Sequence, residues 1–434
     1  LLAMRHPLPN RIWKLALTLG LAAGLLGGCG SGEDSRLEDE STGEASLPAS
    51  EEVVEHPVEA RIPHYEQATP VMKEPTLSAL PDPPEELKAL AAFLDDPSTI
   101  DTTRLNVLVE ESRTIEIASV SPDRLVLLAG HPDNRLFEHD LRTGTTKQIA
   151  RTGEGPGEIK FAQAMARRDS SVYVAHQARR IDRFDCAASP CTYRETSRLR
   201  FRPMALAATN VQLAVVGEPM LRGEGMKIDD LSGAVQIVGS NGDIRQTIGR
   251  MYQTNHFLVL SNYVRSSSLI YSDAQGQFVF ASPKLSLVWA YDTDGELESV
   301  WTIDDFKPLP LEYDSSARSI HKEYEEGYST LRLQGPIAGR FVVATVRHKA
   351  LPSEASDLTG RGNDYYALDL TSGDTYFLGR DTPREGIVDR LVLVTDEHQV
   401  LIENGRVAVI TEPTYSKTSG IQPRSERAPE PQEF

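Results

Sequence analysis

Three histidines stand where chemistry could gather. His131, His176 and His348 each follow directly on a strand-like apolar run, LVLLAG, VYVA and VVATVR respectively. Neutral imidazoles brought together at the mouth of a channel could hold a metal ion, zinc or calcium, and a metal there would support hydrolysis or elimination. The competing reading is that a polar residue ends each strand because a loop begins there. Arg135, Arg180 and Arg347, with Arg179 and Arg183 beside them, fall near the same loops. They could receive an acidic or sugar-like ligand, although an arginine at a strand end is equally at home as a salt-bridged rim residue.

Familiar catalytic signatures do not occur. The chain has no G-x-S-x-G, no H-E-x-x-H and no EF-hand loop. Gly153-Glu154-Gly155-Pro156-Gly157 has the look of a phosphate loop. It lacks the Lys-Ser/Thr that would meet phosphates, and no helical pattern follows, so it reads as a turn. Of three cysteines, Cys186 and Cys191 are separated by Ala-Ala-Ser-Pro between strand-like segments. Two thiols without a nearby histidine or further cysteine make a poor zinc site, and the spacer is not that of a C-x-x-C redox motif. A structural disulfide, and with it an extracytoplasmic setting, is expected.

The elements that would position these residues are strands. From Leu105 onward the period is that of a sheet, and a punctuation recurs: a strand ending near an acid, a short turn, another strand. It appears at 137–144, 183–185, 237–243, 290–295, 367–373 and 401–405, with Asn-Gly, Asp-Gly or Ser-Gly at most of the turns. Six hairpins imply six sheets, over 111–152, 153–200, 201–252, 257–306, 329–381 and 384–413, with seven as the alternative count. The last has room for three strands, and Leu105–Glu110 is the expected fourth, closing a ring and removing sheet edges. The run RLVLLA at 124–129 is expected to be an inner strand.

Around this core the composition changes. Asp82-Pro83-Pro84-Glu85-Glu86 opens a helix within an 81–104 lead-in, with Leu87, Leu90, Ala91 and Leu94 on one stripe packing on the rim. Ser315–Glu326 is expected to form a second helix on the rim, and 349–363 a long loop. Residues 29–80 and 414–434 are rich in Pro, Ser and Glu and are expected to be a disordered tether and tail. Half of the net charge of −18 sits in 31–60, where ten acids face Arg36 alone. A basic face for nucleic acid is therefore excluded as the basis of function.

Residues 1–28 read as a signal segment: Arg5, His6, Arg11 and Lys14 precede an apolar run from Leu15 to Leu26. Met4 is the expected translation start. Leu26-Gly27-Gly28-Cys29 resembles a bacterial lipobox, which implies lipidation at Cys29, and Gly30 rather than Asp after it favours the outer membrane. The stretch from Gly153 to Asp185, with its GEGPGE turn, SVYVA and IDRFD, resembles a blade of NHL-repeat-like or TolB-like bacterial propeller lipoproteins. That resemblance implies an all-β, six-bladed β-propeller over 105–413. Related propeller enzymes, amidating lyases and lactonases, place His or acidic ligands at the channel mouth. The expectation is a lipid-anchored, monomeric extracytoplasmic binding or scaffold module without a cofactor, meeting a protein, peptide or glycan of the envelope. A metal-dependent hydrolase or lyase is the alternative.

Overall fold

A strand that is apolar on both faces needs cover on both sides, and this chain supplies it by setting sheets face to face around a ring. The structure is a computed structural model. It describes residues 69–71, 80–95, 102–108, 115–130, 132–218, 235–249, 257–304, 306–308, 311–314, 319–322, 327–349, 362–381, 390–395, 398–403 and 406–410, all within one compact unit, His56–Phe434.

β1 (Thr69–Val71), α1 (Glu85–Asp95) and β2 (Thr102–Leu108) come first. The first antiparallel meander is β3 (Ile115–Ser121), β4 (Arg124–Ala129), β5 (Arg135–Asp140) and β6 (Thr145–Ala150). The second is β7 (Ala162–Arg168), β8 (Ser171–His176), β9 (Arg180–Asp185) and β10 (Thr192–Arg198). The third is β11 (Arg202–Ala208), β12 (Leu213–Glu218), β13 (Val235–Val238) and β14 (Ile244–Ile248). After α2 (Phe257–Val264) comes the fourth: β15 (Ser268–Ser272), β16 (Gln277–Ala281), β17 (Leu287–Asp292) and β18 (Leu297–Ile303). A hairpin of β19 (Leu311–Asp314) and β20 (Ser319–Lys322) precedes the fifth, β21 (Tyr328–Ile337), β22 (Phe341–Lys349), β23 (Asn363–Asp369) and β24 (Thr375–Asp381). The last comprises β25 (Arg390–Val394), β26 (Gln399–Glu403) and β27 (Arg406–Ile410), joined by β2.

The first strands of these sheets adjoin one another in the order β3, β7, β11, β15, β21, β25 and back to β3, so the architecture is an all-β propeller. Six blades were expected, with seven as the alternative count and the last completed by an early strand. Five sheets have four strands, and the sheet of β15–β18 has five, because β1 adds to β18 in parallel. β2 pairs antiparallel with β27, Thr102 opposite Ile410 and Leu108 opposite Arg406, which joins the beginning of the ring to its end.

Packing explains the sequence pattern. Second strands such as β4, β8, β12 and β16 lie between two neighbours and are buried on both faces; in β4 every residue after Arg124 is buried. The run RLVLLA is a buried inner strand as expected, the second of its sheet, and His176 and His348, on second strands of other sheets, stand away from the axis. Outermost strands such as β10 alternate between half-buried and exposed. Between sheets lie continuous apolar layers, for example Phe278, Phe280, Trp289 and Tyr291 against Ala214, Val216 and Ile237. α1 lays Leu87, Leu90 and Leu94 on Ile337, Phe341 and Tyr365 of the fifth sheet, and Phe93 is buried beside them. The recurrent acids close the hairpins: Asp140, Asp185, Asp292 and Asp369 accept backbone N–H groups from the turn residues that follow them.

Three local expectations are corrected. Residues 319–322 form β20 and not a helix; LEYD and SIHK alternate with period two, and Leu311–Lys322 to Asp314–Ser319 pair as a hairpin. The fourth sheet begins at Ser268 and not near 257, because FLVLSNYV folds as α2. An eight-residue apolar run suits either helix or strand, and periodicity alone does not separate them. Thr69–Val71, within the expected tether, is a strand: pairing at an open sheet edge depends on backbone groups and needs little side-chain hydrophobicity. Residues 29–68, 411–434 and the 350–361 loop lie outside the described residues.

Candidate functional site: the axial channel

Six first strands facing an axis leave a channel, and its wall is set by their inward residues. Two cavities lie along it, of about 620 Å³ at the end where these strands begin and about 400 Å³ at the other. They share Ile117, Met165, Leu206 and Leu269 in their walls, so an apolar waist joins them. The larger volume falls within the range of small-ligand sites, roughly 300–1,000 Å³.

The wider cavity draws its wall from β3, β7, β11, β15, β21 and β25, with the end of α2 and the turn after it at the rim. Glu116 of β3 reaches across to β7 and accepts the Met165 N–H at 2.5 Å. Burial pushes the Glu116 carboxyl up to about 7, with the Arg332 guanidinium and the Met165 N–H opposing the shift. Burial also lowers the pKa of Arg332, and the charge of Glu116 opposes that. Both line the cavity and keep some exposed surface to it, while protein surrounds them on other sides.

The rim is held by a buried acid. Glu218, at the end of β12, takes Arg202 at 2.9 Å, Arg265 at 2.8 Å and the Ser261 hydroxyl. This ties the end of α2 to the third sheet. Lys284 donates to the Asn262 carbonyl, and Ser282 to the Tyr263 carbonyl at 2.7 Å. Polar side chains also bind first strands to neighbouring backbone. Ser268 accepts the Leu333 N–H at 3.0 Å, and Gln334 accepts the Val394 N–H at 2.9 Å. At the closure, Ser119 meets Thr395 and His398, each at 2.7 Å.

The residues singled out in the sequence lie elsewhere. His176 ends the second strand of one sheet, His348 stands one residue before the end of the second strand of another, and neither lines these cavities. His176 Nδ1 donates to the Lys160 carbonyl at 3.2 Å. Its Nε2 is 3.1 Å from Asp182, both side chains being fully buried, though without hydrogen-bond alignment. His348 Nε2 donates to Asp364 at 3.0 Å, and its Nδ1 accepts the Ser329 hydroxyl at 3.0 Å. Asp364 also takes Arg380 at 2.6 Å, and Ser329 accepts the Lys307 N–H at 3.1 Å. Ser329, His348 and Asp364 have the composition of a nucleophilic triad, but the serine has no exposed surface. They form a cross-strand network within one sheet. His131 lies outside the described residues, and among those residues no three His, Cys, Asp or Glu side chains are placed to hold a metal.

The arginines are likewise dispersed. Arg180 clamps the glycine-rich turn, donating to the Glu154 carbonyl at 2.7 Å and the Glu158 carbonyl at 2.6 Å. Glu158 folds back to accept the Gly155 N–H at 2.8 Å and Arg151 at 2.8 Å. A β-carbon on Gly153 would lie 2.0 Å from that carboxylate, so a side chain there would displace Glu158 from its present position. Arg135 pairs with Asp133 at 3.2 Å and lies over the Phe137 ring, while Arg347 stands exposed on β22. Cys186 and Cys191 form the disulfide. Their loop is latched to the first sheet: Arg124 donates to the Cys186 carbonyl at 2.6 Å and Glu138 accepts the Cys191 N–H at 2.6 Å. Cys29 lies outside the described residues.

Glu116 and Arg332 were missed. Their signal was present, since I-E-I at 115–117 and L-R-L-Q at 331–334 place a charge between apolar residues on a strand.

No family model matches this chain, and no curated protein does. Among solved structures, it is similar to a Bacteroides fragilis protein described as exported, with 12% identity, 70% of this chain and 84% of that one covered, and a TM-score of 0.48. A member of the DUF4221 family from Bacteroides vulgatus gives 11% identity, 71% and 94% coverage and a TM-score of 0.47. The β-propeller domain of Cps50 from Myceliophteria thermophila gives 11% identity, 72% and 99% coverage and a TM-score of 0.37.

Proposed function

We propose that this chain is a six-bladed, NHL-like propeller acting as a binding module, and that its ligand enters the wider end of the axial channel. The five-stranded sheet counts as a blade in this reading, since β15–β18 repeat the meander of the other sheets. One observation carries the reading: a cavity of about 620 Å³ whose wall is assembled from the first strands of all these sheets, with polar and charged groups converging on an apolar waist. The test is isothermal titration calorimetry of the purified chain with small molecules and short peptides extracted from bacterial envelope. Amide hydrogen exchange then locates any ligand. Protection along β3, β7 and β21 supports the reading; protection confined to the outer strands counts against it.

A second reading has its own observation. Glu116, with a carboxyl near 7 beside Arg332, has the protonation behaviour of a general acid or base at neutral pH. A hydrolase or lyase working in the channel would lose turnover on Glu116→Gln while keeping its ligand. The setting belongs to the proposal also: an extracytoplasmic protein held by lipid at Cys29. Incorporation of labelled palmitate that disappears in Cys29→Ser would support the anchor, and equal labelling of both would count against it.

A further inference from the structure

Building on the channel reading, we propose that the wider cavity takes a small organic anion, one bearing a carboxylate or a phosphate ester. The ionisable side chains that line it, among the described residues, are Glu116, Arg265, Lys284, Arg332 and the Tyr328 phenol. Three of these are bases and one is a carboxylic acid, in a chain whose overall charge is −18. Among the described residues the positive excess of the lining is local to this end. Arg265 shares the single carboxylate of Glu218 with Arg202, so two guanidiniums stand against one acid. Lys284 donates to the Asn262 carbonyl at the rim of the cavity. Among the described residues, Glu116 is the carboxylic acid that lines the wall with Arg332.

Geometry separates this end from the other. The smaller cavity is lined by Arg167 and Arg168 with Asp169 and Asp273, two bases and two acids, and has no such excess. In the wider one the cations occupy different levels: Arg332 on the wall and Arg265 and Lys284 at the rim beside Ser266 and Ser267. Hydroxyl and amide groups alongside them, Gln163 and Thr330 among others, can take hydrogen bonds from the neutral part of a ligand. The apolar waist stops it from passing through. A guanidinium with restricted access to water holds a carboxylate or phosphate by charge-assisted, often bidentate, hydrogen bonds.

The experiment uses the full chain and calorimetry with named probes: citrate, succinate and glucose 6-phosphate, against glucose and inorganic phosphate. Saturable binding of at least one organic anion, weakened about tenfold or more (about 1.4 kcal/mol) in Lys284→Gln and in Arg332→Gln, is expected. Circular dichroism checks that each variant is folded. Lys284→Gln removes the charge at the rim and keeps the inference testable if Arg332→Gln does not fold. Organic anions should bind better than glucose; binding of inorganic phosphate alone would mean an adventitious ion and overturn the inference. Glucose or another neutral probe protecting β3, β7 and β21 from hydrogen exchange, without any anion doing so, would overturn the inference and leave the channel reading standing. Anions that bind equally well to both variants, with protection outside the channel, would overturn both.

Discussion

The Glu116 carboxylate on β3 accepts the backbone N–H of Met165 on β7 at 2.5 Å. An acid whose neighbours include a buried guanidinium is thereby also a tie between the first strands of adjacent sheets. Its protonation state reports on the channel and on the integrity of the ring together.

That coupling fixes a pH dependence. The folded pKa is raised from 4.5 to about 7, so between these values the folded chain holds a proton that the unfolded chain releases. Stability from this group is fully present below about 4.5 and is lost as pH rises through about 7. Urea denaturation at pH 5 to 8 should show Glu116→Gln with a shallower fall than the parent across that window. Parallel curves would show that Glu116 titrates normally.

The loop closed by Cys186 and Cys191 spans six residues, and a crosslink of that length is worth about 2 kcal/mol by chain entropy. Replacing both cysteines by serine should lower unfolding free energy by about that amount, and a reducing agent should do the same to the parent alone.

Glu138 is almost fully buried and serves two partners, the Cys191 N–H and Arg124. Glu138→Ala should cost about 3 kcal/mol, since it leaves the Cys191 N–H without its acceptor and a largely buried guanidinium, still held by the Cys186 carbonyl, without its carboxylate. A loss well under 1 kcal/mol in chemical denaturation would show that the latch between the first two sheets is unimportant.

Leu90 of α1 has no exposed surface and packs against the fifth sheet. Leu90→Ala should destabilise by about 2–5 kcal/mol, as deletions of buried methyl groups do. Near-neutral behaviour would mean that the helix detaches without consequence for the ring.

Ser329 has no exposed surface and is engaged with His348 and the Lys307 N–H. A serine-directed fluorophosphonate should leave the folded chain unlabelled at Ser329. Labelling located there by peptide mass spectrometry would convert the network into a catalytic one.

Much of the architecture was legible in the sequence. Alternating strands, hairpins ending in acids and the turn glycines announced repeated antiparallel sheets, because these are local signals read from neighbours in the chain. The apolar stripe of Leu87, Leu90 and Leu94 announced α1 in the same way. Closure of the ring by β2 was foreseeable from a count of strands in the last sheet, and β27 is its partner.

Position relative to the axis was not legible. An apolar run such as LVLLA reads as buried, but does not say which strand of the sheet it is: it is the second, sandwiched between neighbours, while the first lines the channel. His176 and His348 therefore gained buried acids within their own sheets and left the channel to Glu116 and Arg332.

Local signals in the chain were enough for most strands of the sheets and the turns that join them, but not for α2, β1 or the β19–β20 hairpin, and they placed Cys186 and Cys191 within reach of each other. Only the tertiary structure decided which side chains meet. Glu116 and Arg332 lie 216 residues apart in the chain and share one cavity because the ring brings β3 and β21 back to a common axis. Convergence of that kind comes from closing the ring, and no window of local periodicity contains it.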